Sequence, residues 1–137
     1  MNRADLQKLA RTRIKEAKAL LDLGYYDGAY YLAGYAVECA LKACIAKKTH
    51  RYDFPDKKQA EESYTHDLTK LIRVAKLDDA VNQEIASNKI FAENWRSARE
   101  WSEAARYQTI TKETAEHLYN AIMDRKHGVL SWLKKLW

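Results

Sequence analysis

Residues 27–48 are apolar on almost every side when they are drawn as a helix, and this segment constrains the fold more than any other part of the chain. A helix with such a pattern has to be surrounded by other elements. Asp27 stands at its start, where the carboxylate is expected to cap the first turn. One narrow polar strip interrupts the apolar surface, and it consists of Tyr31, Tyr35, Glu38 and Lys42. The segment therefore predicts a central helix with partners around it.

The rest of the chain supplies candidates for those partners. Apolar residues recur at intervals of three and four in segments that predict further helices, namely residues 4–23, 66–77, about 80–105 and from about 111 onwards. Gly24 is expected to end the first helix, and Gly128 is a candidate break in the last. An irregularity is expected near Asn88. The polar segment 49–64 contains the only proline, Pro55, and predicts a long loop.

The composition favours helices over strands. The 137 residues include one proline and four glycines, and 47% of them are hydrophobic. A chain of this length forms one domain and buries roughly two-thirds of its unfolded surface, so it needs no disulfide or metal for stability. Because long helices are joined by mostly short connections, the sequence predicts an all-α fold, an antiparallel up-and-down bundle of four to five helices, with residues 1–137 as a single domain.

The charge and the cysteines bound the class of protein. A formal net charge of +5 and a pI near 9.1 favour an acidic partner, with nucleic acid first. Cys39 and Cys44 are separated by about 140° around a helix, which prevents a disulfide or a shared metal. No metal-ligand spacing or phosphate-binding glycine loop is present, so no metal or cofactor is predicted. No segment has the apolar length of a signal peptide or a membrane span, and we therefore expect a cytoplasmic protein.

The predicted fourth helix carries the clearest candidates for binding nucleic acid. Its expected core stripe consists of Phe91, Asn94, Ala98, Trp101 and Ala105. About opposite lie the candidate binding residues Trp95, Arg96, Arg99 and Arg106. Guanidinium groups bind phosphate bidentately, and an exposed Trp95 could stack on a base. The alternative is a solvated face with ion pairs such as Arg99–Glu103.

The remaining histidines and tryptophans have structural interpretations. His66 is expected at the start of the third helix, where Thr65 or Asp67 caps the first turn. His127 lies in a basic cluster that is typical of a solvated end of a chain. The last tryptophans are expected to pack on a partner or on the bundle, and they are Trp132 and Trp137.

Three segments in order resemble the HEPN domain family: GYYDGAYYLAGYAVECALKACIAKK at 24–48, THDLTKL at 65–71 and AREWSEAARYQ at 98–108. The resemblance implies a small prokaryotic helical domain that forms a homodimer. Members of the family are often encoded beside a minimal nucleotidyltransferase. They include RNA-cleaving toxins of toxin-antitoxin systems as well as proteins with no known activity.

The resemblance also gives meaning to the polar strip and to one arginine. The second helix of the family usually carries a Glu-x-x-x-Lys step, which Glu38 and Lys42 match. We interpret the strip as an interface with a dimer mate, and a groove for a nucleotide is the alternative. Active members have four to six residues between an arginine and the histidine that follows it. Arg106 stands at the position of that arginine, but the next histidine, His117, follows only after ten intervening residues.

His117 is expected to point away from the bundle, because it lies about 200° from the core stripe of a helix that begins near Thr111. Arg106 and His117 would then form a ribonuclease site only across a dimer interface. The sequence thus leaves three functions open. The first is non-catalytic binding of nucleic acid or nucleotide together with a nucleotidyltransferase-type partner. The second is a metal-independent ribonuclease with a divergent site, and the third is a structural protein-interaction module.

Overall fold

A computed structural model describes residues 1–49 and 56–137, and it confirms the all-α prediction. These residues form eight α-helices, one 3₁₀ helix that we call η1, and no strand. The elements in chain order are α1 (Arg3–Asp22), α2 (Tyr26–Lys48), α3 (Lys57–Glu62), α4 (Leu68–Val74), α5 (Asp78–Ser87), α6 (Lys89–Arg99), η1 (Glu103–Tyr107), α7 (Lys112–Met123) and α8 (Val129–Lys134). The predicted number of four to five helices is too small, because two predicted helices are divided and the predicted loop contains a short helix.

The first helix ends as its sequence predicts. A capping box begins α1, since the side chain of Asn2 accepts the N–H of Asp5 and the carboxylate of Asp5 accepts the N–H of Asn2. Gly24 follows the C-terminal end with φ of 84°, a left-handed conformation that glycine adopts without steric cost. The chain then reverses into α2, and the two long helices pack along one another.

The central position predicted for the second helix is confirmed. Helix α2 contacts α1, α4, α7, α8 and η1, and twelve of its residues are buried. Gly34 allows the closest approach, because a Cβ atom there would lie 2.2 Å from the ring of Trp101. The predicted cap by Asp27 is wrong. The N-cap position is Tyr25, and Asp27 in the first turn accepts the distant N–H of Ile110 instead, at 2.6 Å.

The predicted fourth helix is divided into three pieces. Asn88 ends α5 and caps α6 by accepting the N–H of Phe91 at 3.0 Å, which agrees with the irregularity predicted there. Helix α6 ends at Arg99, and the extended backbone of Ser102 separates it from η1. Trp101 therefore reaches the core from outside the helix, where it is 3% exposed.

The last predicted helix begins and breaks where the sequence indicates. The hydroxyl of Thr111 accepts the N–H of Thr114 and caps α7. Asp124 then forms a turn by accepting the backbone N–H groups of Lys126 and His127. A Cβ atom on Gly128 would lie 2.4 Å from a backbone oxygen, so only glycine fits before α8. The two tryptophans of this end are buried on the bundle itself, and they are Trp132 and Trp137.

The loop predicted for residues 49–64 is partly wrong, because Asp56 caps the short helix α3 within it. Pro55 lies outside the described residues. The side chain of Asp67 caps α4, in agreement with one of the two predicted caps. In the two described ranges, no helix has both the length and the apolar character needed to cross a membrane.

Candidate nucleic-acid interface

The polar strip of α2 begins with aromatic packing. The rings of Tyr31 and Tyr35 are stacked at a centroid distance of 6.2 Å. Tyr31 also lies against Trp101, with ring centroids 6.1 Å apart. The indole N–H of Trp101 is buried without a hydrogen-bond partner among the described residues. Trp101 belongs to the segment that leads from α6 into η1, so the packing of its ring on α2 fixes the position of that segment.

A buried carboxylate forms the centre of the strip. Glu38 is 2% exposed, and its Oε2 atom lies 3.3 Å from the Nζ atom of Lys42 one turn later. Its Oε1 atom lies 2.9 Å from Nδ1 of His66. The Nε2 atom of the same imidazole lies 3.2 Å from a carboxylate oxygen of Glu103 on η1. The sequence predicted the pair of Glu38 and Lys42, and the structure adds His66 to this pair and links it through the imidazole to Glu103.

Sequence reasoning missed the role of His66. The residue does stand just before α4, but Asp67 makes the capping hydrogen bonds. The imidazole instead joins carboxylates of α2 and η1, which are distant in the sequence. A buried glutamate needs partners for its charge, and this requirement was the one available signal that a further donor must approach Glu38.

The imidazole opens onto a cleft of about 380 Å³. Its wall carries charged groups of both signs from Asp67, Arg99, Glu100 and Glu103, together with the hydroxyls of three residues. Those hydroxyls belong to Thr65, Thr69 and Ser102. Asp67 already accepts two backbone N–H groups, and Glu103 is paired with His66. Arg99 is therefore a cation that lines the cleft and makes no ion pair with any carboxylate among the described residues.

We call the surface that carries Arg99, Glu103, Arg106 and Tyr107 the η1 face. The guanidinium of Arg106 lies 4.9 Å from the centroid of the Tyr107 ring, and Tyr107 is 81% exposed. The Tyr107 hydroxyl, and more weakly the Glu103 carboxylate, raises the pKa of Arg106, so the guanidinium keeps its charge. The predicted Arg99–Glu103 ion pair does not form, because Glu103 contacts His66.

The three predicted arginines are all exposed, but the predicted tryptophan is not. Arg96 and Arg99 lie on α6, and Arg106 lies at the end of η1. No carboxylate lies within ion-pair distance of any of the three in the part of the chain that the structure describes. Trp95 is 4% exposed and belongs to the core, so its predicted place beside the arginines is wrong. Tyr107 is the exposed aromatic ring that the prediction missed.

The predicted pair of Arg106 and His117 stays apart in the contacts of this chain. His117 is exposed, as predicted, and its Nε2 atom lies 2.9 Å from the hydroxyl of Ser97 on α6. Arg106 contacts Tyr107 instead. No hydrogen bond within residues 1–49 and 56–137 joins Arg106 to His117. A single chain thus presents the arginine and the histidine as separate surface groups.

A metal site would need several of the described thiols, imidazoles and carboxylates to lie close together. Among the described residues, no three His, Cys, Asp or Glu side chains are close enough to hold a metal ion. Cys39 and Cys44 are free and buried. Burial raises the pKa of each thiol to about 11, so both stay protonated at neutral pH. Their chemistry is that of packed apolar side chains.

Comparison with protein families matches residues 4–136 to the HEPN domain. No curated protein and no solved structure matches the chain. The matched region includes the polar strip of α2, the histidine before α4 and the η1 face. It extends through α8 and its buried tryptophan, Trp132, and ends one residue before Trp137. The chain therefore belongs to the HEPN domain family.

Proposed function

We propose that this HEPN domain binds single-stranded RNA through the η1 face and acts without catalysis. The observation that carries the proposal is the pairing of Arg106 with Tyr107. A charged guanidinium and an exposed aromatic ring lie side by side there, and the described part of the chain offers the guanidinium no carboxylate partner. Proteins that bind single strands combine these two groups, since cations contact the phosphates and aromatic rings stack on the bases.

The surroundings of Arg106 extend the positive surface. Arg96 and Arg99 are three residues apart on α6 and share one side of that helix. Glu103 could neutralise part of this charge, but its carboxylate contacts His66 at 3.2 Å. The arginines are therefore available to an external anion, and the net charge of +5 favours the approach of RNA.

The proposal includes a protein partner. Resemblance to the family suggests a homodimer and a nucleotidyltransferase-type protein that associates with it. The proposed contact surface is the tyrosine end of the polar strip of α2, because Tyr31 and Tyr35 stay half-buried in one chain, whereas Glu38 is buried inside it. Tyrosine combines a large apolar ring with a polar tip and is enriched at interfaces. On gel filtration, a dimer would elute at the volume expected for twice the 15.9 kDa mass of one chain.

The test is fluorescence anisotropy with a labelled single-stranded RNA over a series of salt concentrations. The variant Arg96→Glu/Arg99→Glu/Arg106→Glu should weaken binding and reduce the slope of log K against log salt by about 2, at roughly 0.7 for each lost phosphate contact. A matched control reverses the same number of charges elsewhere, at Lys8, Lys15 and Lys47, which are exposed on α1 and α2. Equal losses in both variants would indicate net charge rather than the η1 face.

The same samples separate the other two functions. A structural interaction module predicts no RNA affinity in the wild type at low salt. A ribonuclease predicts cleavage in the presence of a chelator, and loss of that cleavage in both Arg106→Ala and His117→Ala. Since His117 contacts Ser97 rather than Arg106, we expect intact RNA after incubation.

A further inference from the structure

The side chain of His66, just before the start of α4, contacts both α2 and η1. Its Nδ1 atom faces the buried carboxylate of Glu38 at 2.9 Å, and its Nε2 atom faces the half-exposed carboxylate of Glu103 at 3.2 Å. Each of these two contacts crosses between elements that are distant in the sequence, and the contact to Glu103 links the imidazole to η1. The imidazole therefore holds η1 against the body of the domain.

The number of protons on the ring decides how many of these contacts exist. Ionised carboxylates only accept hydrogen bonds, so both ring nitrogens donate when both contacts are made. The imidazolium has two N–H donors, whereas the neutral ring has one donor and one acceptor. After loss of a proton, one ring nitrogen and one carboxylate would face each other as two acceptors, and that contact would be repulsive.

The contact that is lost can be identified from burial. Glu38 is 2% exposed and has Lys42 as its other charged partner, so loss of the imidazole would leave a buried carboxylate poorly compensated. The Glu103 side chain is 44% exposed, and water can replace the imidazole there. The proton on Nδ1 is therefore kept for Glu38, and the contact between Nε2 and Glu103 breaks.

We propose that His66 is a proton-operated anchor of η1 that controls the RNA-binding surface. With the imidazole protonated, η1 is fixed and the Glu103 carboxylate is paired with His66 instead of with an arginine. With the imidazole neutral, the Glu103 carboxylate is free to pair with an arginine. Arg99 lines the same cleft, and the charge of Glu103 already raises the pKa of Arg106. RNA affinity then falls as the pH rises. The control of η1 stands on the contacts alone, and the effect on RNA rests on the proposed function.

The other charged groups around the imidazole do not replace this proton. Lys42 approaches the second oxygen of Glu38 from the same helix. Asp67, the next residue after His66, already accepts hydrogen bonds from the backbone N–H groups of Thr69 and Lys70. Glu100 and Arg99 line the cleft at the end of α6 but make no hydrogen bond to the ring. The other described histidines lie elsewhere, beside Ser97 and Asn88.

Glu103→Gln separates the anchor from its proton dependence. The glutamine amide can accept from an imidazolium and can donate to the lone pair of a neutral ring, so it keeps the contact in both states. Hydrogen exchange of η1 is measured between about pH 5 and 8, the range in which histidines change charge, with correction for the intrinsic rate. The reporting amides are those of Ala105 and Gln108, which donate to Ser102 and Ala105.

We expect protection of these amides to fall about fivefold or more across this range in the wild type and to stay constant in Glu103→Gln. Protection that is constant in the wild type, or that falls equally in Glu103→Gln, overturns the proposal. His117→Gln serves as a control for a histidine outside the cluster and should retain the wild-type dependence.

RNA affinity is measured in parallel on the same three proteins at constant salt. The wild type and His117→Gln should lose about fivefold or more in affinity between about pH 5 and 8, and Glu103→Gln should lose less. A proton-dependent η1 with affinity that does not follow it overturns the control of RNA binding. Absence of RNA binding at every pH contradicts the proposed function, and the exchange result still decides whether His66 anchors η1.

Discussion

Asp27 accepts the backbone N–H of Ile110 at 2.6 Å, across 83 positions of the sequence. Asp27 lies in the first turn of α2, and Ile110 lies between η1 and α7. The hydrogen bond thus ties the segment after the η1 face to the start of the central helix. A negative side chain also interacts favourably with the positive end of α2. One carboxylate therefore contributes to stability in two ways, and the two can be measured separately.

Asp27→Ala should lower the free energy of unfolding by about 1–2 kcal/mol, since it removes both the charged acceptor and the interaction with the helix dipole. Asp27→Asn keeps a side-chain oxygen in place and should cost only about 0.5 kcal/mol. Urea denaturation of the two variants measures both values. Equal costs would mean that the hydrogen bond to Ile110 contributes nothing beyond the charge.

Gly34→Ala should destabilise the domain by about 1–3 kcal/mol or more, because the new Cβ atom would lie 2.2 Å from the ring of Trp101. The matched control is Gly28→Ala on the same helix. Its Cβ atom would meet only the end of the Leu20 side chain, at 3.0 Å, and alanine favours a helix by about 1 kcal/mol over glycine.

Urea midpoints and tryptophan fluorescence report the two glycine variants. We expect a lower midpoint and an altered emission spectrum for Gly34→Ala, and an unchanged or higher midpoint for Gly28→Ala. A neutral Gly34→Ala would show that Trp101 moves aside without cost. In that case, close packing of the ring against α2 would not fix the segment before η1.

The buried thiols predict a loss of stability at alkaline pH. The pKa values of Cys39 and Cys44 rise from the ordinary 9.0 to about 11 on folding, chiefly by burial. The native state therefore disfavours the thiolate. This contribution is fully present below pH 9.0 and is lost as the pH rises from there through about 11.

Denaturation midpoints over this pH range should fall more steeply in the wild type than in Cys39→Ala/Cys44→Ala, which lacks both thiols. Labelling by iodoacetamide gives a second measurement. It should be slow near pH 8 in the native state and fast in urea, because the thiolate is the reactive form. Rapid labelling without urea would contradict the burial of both side chains.

Tyr107 and Trp95 make opposite predictions about RNA. Tyr107→Ala should weaken RNA binding by about 1–3 kcal/mol, the value of one stacked base, and leave the urea midpoint unchanged. Trp95→Phe should destabilise the fold by about 1–3 kcal/mol and leave RNA affinity unchanged, since Trp95 is a core residue. Anisotropy and urea denaturation on both variants test the assignment. Loss of RNA binding only in Trp95→Phe would reverse it.

The sequence predicted the central helix well because burial on all sides leaves a direct pattern. The error at Trp95 has an equally physical origin. Phe91, Trp95 and Ala98 are four and three residues apart and share one buried stripe of α6. When a single helix is assumed up to Ala105, the apolar residues Trp101 and Ala105 shift the predicted core stripe away from Trp95. Because α6 ends at Arg99, the residues after Arg99 do not indicate which side of α6 is buried.

The candidate site was predicted only where its contacts are local. The pair of Glu38 and Lys42 is one helical turn apart and is visible in the sequence. The contacts of His66 with Glu38 and Glu103 span 28 and 37 positions, and they depend on how α4 and η1 pack on α2. No periodic pattern of the sequence predicts contacts between residues this far apart. The preference of a buried carboxylate for charged partners predicts that Glu38 has a further partner, but it does not predict which residue that partner is.

The contacts of α2 with five other elements have a consequence for how the domain opens. Removal of any one neighbour would expose part of a helix whose surface is almost entirely apolar, so the core elements should open together in hydrogen exchange. Helix α3 is the exception, since none of its residues is buried. It can unfold and refold without a cost to the core, which makes it the one described helix where insertions and proteolytic cleavage would leave the bundle intact.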